Sequence, residues 1–189
     1  SEETVKVPEA ESAEEQLNSE KNADGLKTSK SQLDIIGTIT NIGTVDPKFE
    51  LSSNQTEFIQ SHLELFPASN ECLDELSQYI DTTLDYSHMI KNPKDISGRF
   101  AFMEQLTVQQ IWEENFGEGD SPYDYVTCLN SYDVNGNCYY IYYIGKQTQI
   151  VEGDFARVVA MPVAYSSYKN LEGTDVLTLV MVASVIENQ

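Results

Sequence analysis

The sequence predicts a mainly β chain of five strands preceded by a short helical segment. Three observations carry that reading. After Pro93, β-branched and aromatic residues dominate and turn signals recur, the texture of an all-β barrel or sandwich. Between residues 54 and 80, apolar residues recur every three or four positions, as they do along one face of a helix. Of 189 residues, 40% are hydrophobic and 10 are glycine, which is ordinary for a globular domain and too apolar for a fully disordered chain.

The elements follow in chain order. Residues 1–30 hold eight acidic residues, four lysines and no aromatic residue, so they are expected to form an acidic, disordered tether. Residues 31–94 are expected to form an extended arm and a helical segment. In the stretch SQLDIIGTITNIGTVDPKFEL, β-branched residues mix with Gly37, Gly43 and Pro47, which suggests a short strand or arm rather than a helix. Asn54 and Glu57 stand at capping-box spacing ahead of Phe58, Ile59, His62, Leu63, Leu65 and Phe66, and Pro67 ends that helix. Ser69 or Asn70 can cap a second helix whose face carries Cys72, Leu73, Leu76 and Ile80. A turn-like piece, DYSHMIKNP, closes the segment at Pro93.

Residues 95–189 are expected to form the barrel. Its strands are read as Ile96 to Trp112 with a bend, Tyr125 to Asp133, Cys138 to Ile144, Val151 to Tyr168, and Asp175 to Ile186. The last is nearly continuous in apolar residues, which marks a strand buried on both faces. Asn135-Gly136 predicts a two-residue hairpin loop, pairing Cys128 with Tyr143 and Cys138 with Asp133. Cys72, Cys128 and Cys138 are an odd set without Cys-x-x-Cys spacing, so structural thiols are expected rather than a disulfide framework or a zinc ribbon.

Charge bears on partners. Thirty-one acidic against eleven basic residues give a net charge of -20, and removing the -4 of residues 1–30 leaves -16 on the remainder. Such a surface opposes phosphate backbones, so nucleic acid is not expected as a partner. No cofactor or metal is expected. The hairpin DVNGNC begins like a calcium loop, but Cys138 replaces the glycine of position six and Ile144 the glutamate of position twelve. Glu113, Glu114, Glu118, Asp120 and Asp124 read as a solvated acidic loop, with weak Ca2+ binding by its flexible carboxylates as the alternative. His62 and His88, the two histidines, stand apart from any nucleophile motif, and no catalytic residue is assigned. The apolar run from Val176 to Val185 is about half of what a bilayer span needs. An opening of SEETVKVPEAESAEEQ looks like a processed product whose upstream part has been removed.

Five strands, with Gly153-Asp154 before the fourth and Ala183-Ser184-x-Ile186-Glu187 ending the fifth, look like an OB-fold, the five-stranded Greek-key barrel. FIQSHLELFPA, LDYSHMIKNP and the barrel containing YYIYYIGKQTQIVEGDFARVVAMPVAYSSYKN resemble the extracytoplasmic OB-like domains of uncharacterised lipoproteins and membrane-anchored proteins of Gram-positive bacteria, over about residues 54–187. The resemblance implies a cell-surface location, with the chain tethered to a membrane by an upstream anchor. GKQTQIVEGD is too short for the usual helix between strands three and four, so the barrel is expected to be open or short at that end.

OB-folds bind ligands across strands two and three. Nine of the eleven tyrosines lie on or beside the barrel. The expected register places Val126 and Cys128 inward and leaves Tyr125, Tyr140 and Tyr142 as an outward aromatic patch for an unknown sugar, peptide or protein ligand. The function expected is therefore a non-enzymatic extracytoplasmic binding or interaction module. The alternative is a cell-envelope polymer hydrolase using paired carboxylates, which needs two acids facing each other across a cleft.

Overall fold

A computed structural model describes residues 35–117 and 121–189. The expected tether over residues 1–30 lies outside them, as do Glu118 and Asp120. Residues 35–42 form helix α1, followed by α2 (Ser53–Ser61), α3 (Leu73–Tyr79) and α4 (Tyr86–Met89). The strands are β1 (Ala101–Asn115), β2 (Tyr125–Tyr132), β3 (Cys138–Ile144), β4 (Phe155–Lys169) and β5 (Asp175–Asn188). They close into a barrel in the order β1-β2-β3-β5-β4, the OB-type arrangement that the sequence predicts. β3 pairs with β5 in parallel, and the other ladders are antiparallel. β1 serves both β2 and β4, with irregularities between Met103 and Leu106 and between Val108 and Gln110 where the long strand bends.

Two apolar cores share the barrel wall. Leu129, Ile141, Val158, Leu179 and Met181 belong to the interior cluster, together with Leu84, Met89 and Ile96 from α4 and its flanks. Ile150, from the connection between β3 and β4, joins the same cluster. The expectation of an open or short end is corrected here: the barrel is closed, and apolar residues upstream of β1 do the filling that a helix between β3 and β4 would otherwise do. The second cluster joins the opposite face of β3, β4 and β5, through Tyr142, Met161, Val163, Val180 and Val182, to the helices. β5 is buried from Thr178 to Ser184, in keeping with its continuous apolar run.

The arm expected from residue 31 is instead helical over 35–42. Ile35, Ile39 and Ile42 fall on one helical stripe and are all buried in the second cluster. Burying each is worth about 1.5–3 kcal/mol, whereas an isoleucine in a helix costs at most about 0.7 kcal/mol of propensity. Tertiary burial therefore overrides local preference.

α2 starts earlier than Asn54. Ser52 Oγ accepts from the Gln55 backbone N–H at 3.3 Å and the Ser52 N–H donates to Gln55 Oε1 at 3.0 Å, a reciprocal capping box. The Gln55 amide is fully buried, and its two N–H hydrogens are shared among the carbonyls of Pro93, Ile96 and Pro162, at 3.0, 3.0 and 3.1 Å from the nitrogen. One side chain thus ties α2 to the strand-entry turn and to β4. Pro162 sits beside a register shift in β4, where a residue without an N–H is tolerated.

The hairpin between β2 and β3 carries the correction with most consequence. Gly136 N–H donates to the Asp133 carbonyl at 3.0 Å and Asp133 N–H to the Asn137 carbonyl at 3.1 Å, so three residues form the loop, not two. A two-residue type I′ turn would need positive φ at Asn135 as well as at Gly136. Only glycines adopt positive φ among the described residues, and Gly136 has φ 81°. The ladder consequently slips by one residue, pairing Cys128 with Tyr142 and Tyr132 with Cys138.

Candidate functional site

The slip redistributes the faces. Leu129 and Ile141 belong to the interior cluster, while Val126 and Cys128, expected inside, belong with Tyr142 to the cluster under the helices. Tyr140 and Tyr142 do lie on the outer face of the barrel, but they share it with Cys128 instead of opposing it. Their environments differ. Tyr142 is 1% exposed, with the Phe49 ring 5.9 Å away, so it is a core residue and not part of an exposed patch. Its hydroxyl has no hydrogen-bond partner, and burial pushes its pKa far above that of a free phenol. Tyr140 is half-buried, edge-on to Trp112 at 5.7 Å and tilted against Tyr142 at 4.9 Å.

Tyr125 does not join them. It stands one residue out of phase with Val126 and Cys128, at the start of β2, and the Lys146 ammonium lies 4.0 Å from its ring centre. The expected three-tyrosine patch therefore resolves into one buried tyrosine, one half-buried tyrosine and one residue placed elsewhere.

What the barrel does assemble around Tyr140 is a groove of about 640 Å3. Its floor follows from the ladders: Gln110 lies opposite Asn130, Asn130 opposite Tyr140, and in the next row Cys138 lies opposite Thr178 and Thr178 opposite Ser166. Asp46 and Pro47, from the loop after α1, and Tyr168 also line it. The Asn130 amide donates to Gln110 Oε1 at 3.2 Å, which orients both amides. Thr178 is 7% exposed, and its hydroxyl has no protein partner. A buried hydroxyl left without a partner costs about 1–3 kcal/mol, which a ligand's hydrogen bond would recover. The groove thus offers side-chain amides, hydroxyls, the rings of Tyr140 and Tyr168, and one carboxylate, Asp46. Gln110, Asn130, Ser166 and Thr178 were not singled out by the sequence because none stands in a motif of its own, and only the pairing of strands gathers them.

The remaining chemistry-bearing residues have structural duties. Asp133 Oδ1 accepts from the Asn135 and Asn137 backbone N–H groups at 2.9 and 3.0 Å, and Oδ2 from the Asn137 amide and the Tyr139 hydroxyl. Burial alone would raise its pKa, but these bonds together hold it below the usual value. The carboxylate is therefore committed to the turn. His62 bridges the Phe58 carbonyl and the Tyr79 hydroxyl, each at 2.9 Å, joining α2 to α3. His88 contacts its own helix cap, Asp85, at 2.8 Å. All three cysteines are free, and burial pushes the Cys128 thiol up to about 12. Among the described residues no helix is long and apolar enough to cross a membrane.

No known protein family matches the sequence, and no curated protein does. A solved structure to which the chain is similar is the second OB-fold domain of replication protein A from Methanococcus maripaludis, at 14% identity and a TM-score of 0.26, covering 48% of this chain and 81% of that one. The exclusion of nucleic acid is corrected by this match, since a domain of a replication protein is among the similar barrels. The physical reason is that charge and stacking local to a groove govern such binding, and a whole-domain charge count does not resolve them. At this identity and TM-score the likeness says nothing further about what the chain binds.

Proposed function

We propose that this chain is a non-enzymatic, extracytoplasmic binding module whose groove over β2 and β3 takes a neutral, hydroxyl-rich ligand of the sugar type. The observation that carries the reading is the buried, unpartnered Thr178 hydroxyl beside the oriented amides of Gln110 and Asn130 and the ring of Tyr140. Sugars combine apolar C–H faces with dense hydroxyls, and recognition of such groups pairs an aromatic surface with a few fixed hydrogen-bonding side chains. Hydrolysis by paired carboxylates finds less support: the groove contributes one carboxylate, Asp46, and the larger cavity described below contributes one, Glu50. The cell-surface setting rests on the resemblance of residues 54–187 to domains of anchored lipoproteins.

Calorimetric titration with chitotetraose, a neutral fragment of envelope-type glycan, tests the proposal. Binding is expected, weakened by about 1–3 kcal/mol in Tyr140→Ala, taking base stacking as the nearest analogue. Absence of binding at millimolar sugar, or equal binding by Tyr140→Ala, refutes it.

A further inference from the structure

The folded part of the chain is poor in cations, and their placement is uneven. Of seven basic residues after residue 30, Arg99, Lys146, Arg157 and Lys169 each pair with a carboxylate. Lys48, Lys91 and Lys94 form no such pair among the described residues. Two of these three, Lys48 and Lys94, line one cavity of about 1220 Å3 formed by α1, the segment after it, α2, residues 92–94 and β4. Its apolar lining includes Ile39, Phe49 and Ile59, all nearly fully buried, with Leu51 partly buried beside them. Lys48, Lys94 and Glu50 are exposed, so the charged groups are on the solvent side and the apolar ones beneath. The cavity's geometry is fixed by the Gln55 bonds to Pro93 and Ile96 and by the Phe49 N–H donating to the Gly43 carbonyl at 3.1 Å.

We propose that this cavity is a second binding site, distinct from the groove over β2 and β3, for a monomeric amphipathic anion: a single apolar chain carrying a carboxylate head. The chain lies on the accessible apolar side chains of the lining, Ile36, Leu51 and Tyr165, over the buried floor of Ile39, Phe49 and Ile59, and the head meets the ammonium groups of Lys48 and Lys94. In a surface this acidic, two cations that find no carboxylate partner among the described residues and stand over an apolar floor favour an occupant that brings negative charge. Glu50 opposes a dianionic head and favours a single charge.

The test is cis-parinarate fluorescence with the full chain, decanoate and 1-decanol serving as competitors below their self-association limits. Saturable binding is expected, with decanoate displacing the probe at least tenfold better than 1-decanol. Each exposed ammonium near a head group is worth on the order of fivefold, so Lys48→Gln with Lys94→Gln is expected to weaken the probe about tenfold or more. Both lysines are exposed, and circular dichroism of that variant is expected to be unchanged. Ile36→Trp, which narrows the cavity from a partly exposed position in its lining, is expected to weaken all three compounds alike. Equal displacement by acid and alcohol, unchanged affinity in the double lysine variant, or displacement by chitotetraose would each overturn the proposal.

Discussion

Replacing Tyr142 by alanine separates the observed register from the expected one. The side chain is 1% exposed and packs against Phe49, with Tyr140 4.9 Å away and Cys128 and Val182 as its ladder partners. Truncating a core aromatic residue costs about 3–5 kcal/mol, from lost burial and the cavity left behind. Tyr142→Phe is a different experiment, because the hydroxyl is buried without a partner. Removing it abolishes an unpaid desolvation penalty, so that variant is expected to match the parent or exceed it by about 1 kcal/mol. Tyr140→Ala, from a half-buried site, loses its edge contact with Trp112, worth about 0.5–1.5 kcal/mol, plus part of its apolar burial. Equilibrium urea denaturation followed by Trp112, the single tryptophan, measures all three. A Tyr142→Ala variant within about 1 kcal/mol of the parent would mean that the ring is solvent-facing and would refute both the register and the division of roles between the two tyrosines.

Gly136→Ala should lose about 1 kcal/mol or more in the same assay, since φ 81° suits only a residue without a side chain, while Asn135→Ala, at negative φ, should lose less. Cys128 should resist Ellman's reagent in the native protein and react only on unfolding, because its thiol is buried and pushed up to about 12, whereas Cys72 and Cys138 are half-buried and should react first. Asp81 is held down to about 2, first by the Thr83 hydroxyl and backbone N–H and then by Arg99. Its contribution to stability is therefore present above pH 3.8 and is lost as pH falls toward 2, and Thr83→Val should move the carboxyl titration seen by carbon NMR back upward.

The barrel was legible because its signals are local and repeated. β3 is bounded as read, Cys138 to Ile144, since a run of β-branched and aromatic residues follows a glycine turn. β5 begins at Asp175 as read, with an apolar run that only a doubly buried strand requires. Helix α1 was not legible, because Ile35, Ile39 and Ile42 have β-branched side chains and become helical only against the barrel wall. The hairpin was legible as a turn but not in its loop length: Asn-Gly serves a two-residue loop or, with glycine alone at positive φ, a three-residue one. That single residue decided which side of the strands faced the interior. Tyr140 emerged from the sequence as a candidate, but its neighbours in the groove come from β1, β2, β4 and β5, and no local pattern brings Gln110, Asn130, Ser166 and Thr178 together.

The most direct test of the central claim is amide chemical-shift mapping of the intact chain during titration with chitotetraose. The account predicts shifts clustered at Gln110, Asn130, Tyr140 and Thr178, the four positions that adjoining ladders bring into one groove, and their loss in Tyr140→Ala. Shifts confined to the separate cavity lined by Lys48 and Lys94, or none at millimolar sugar, would contradict it.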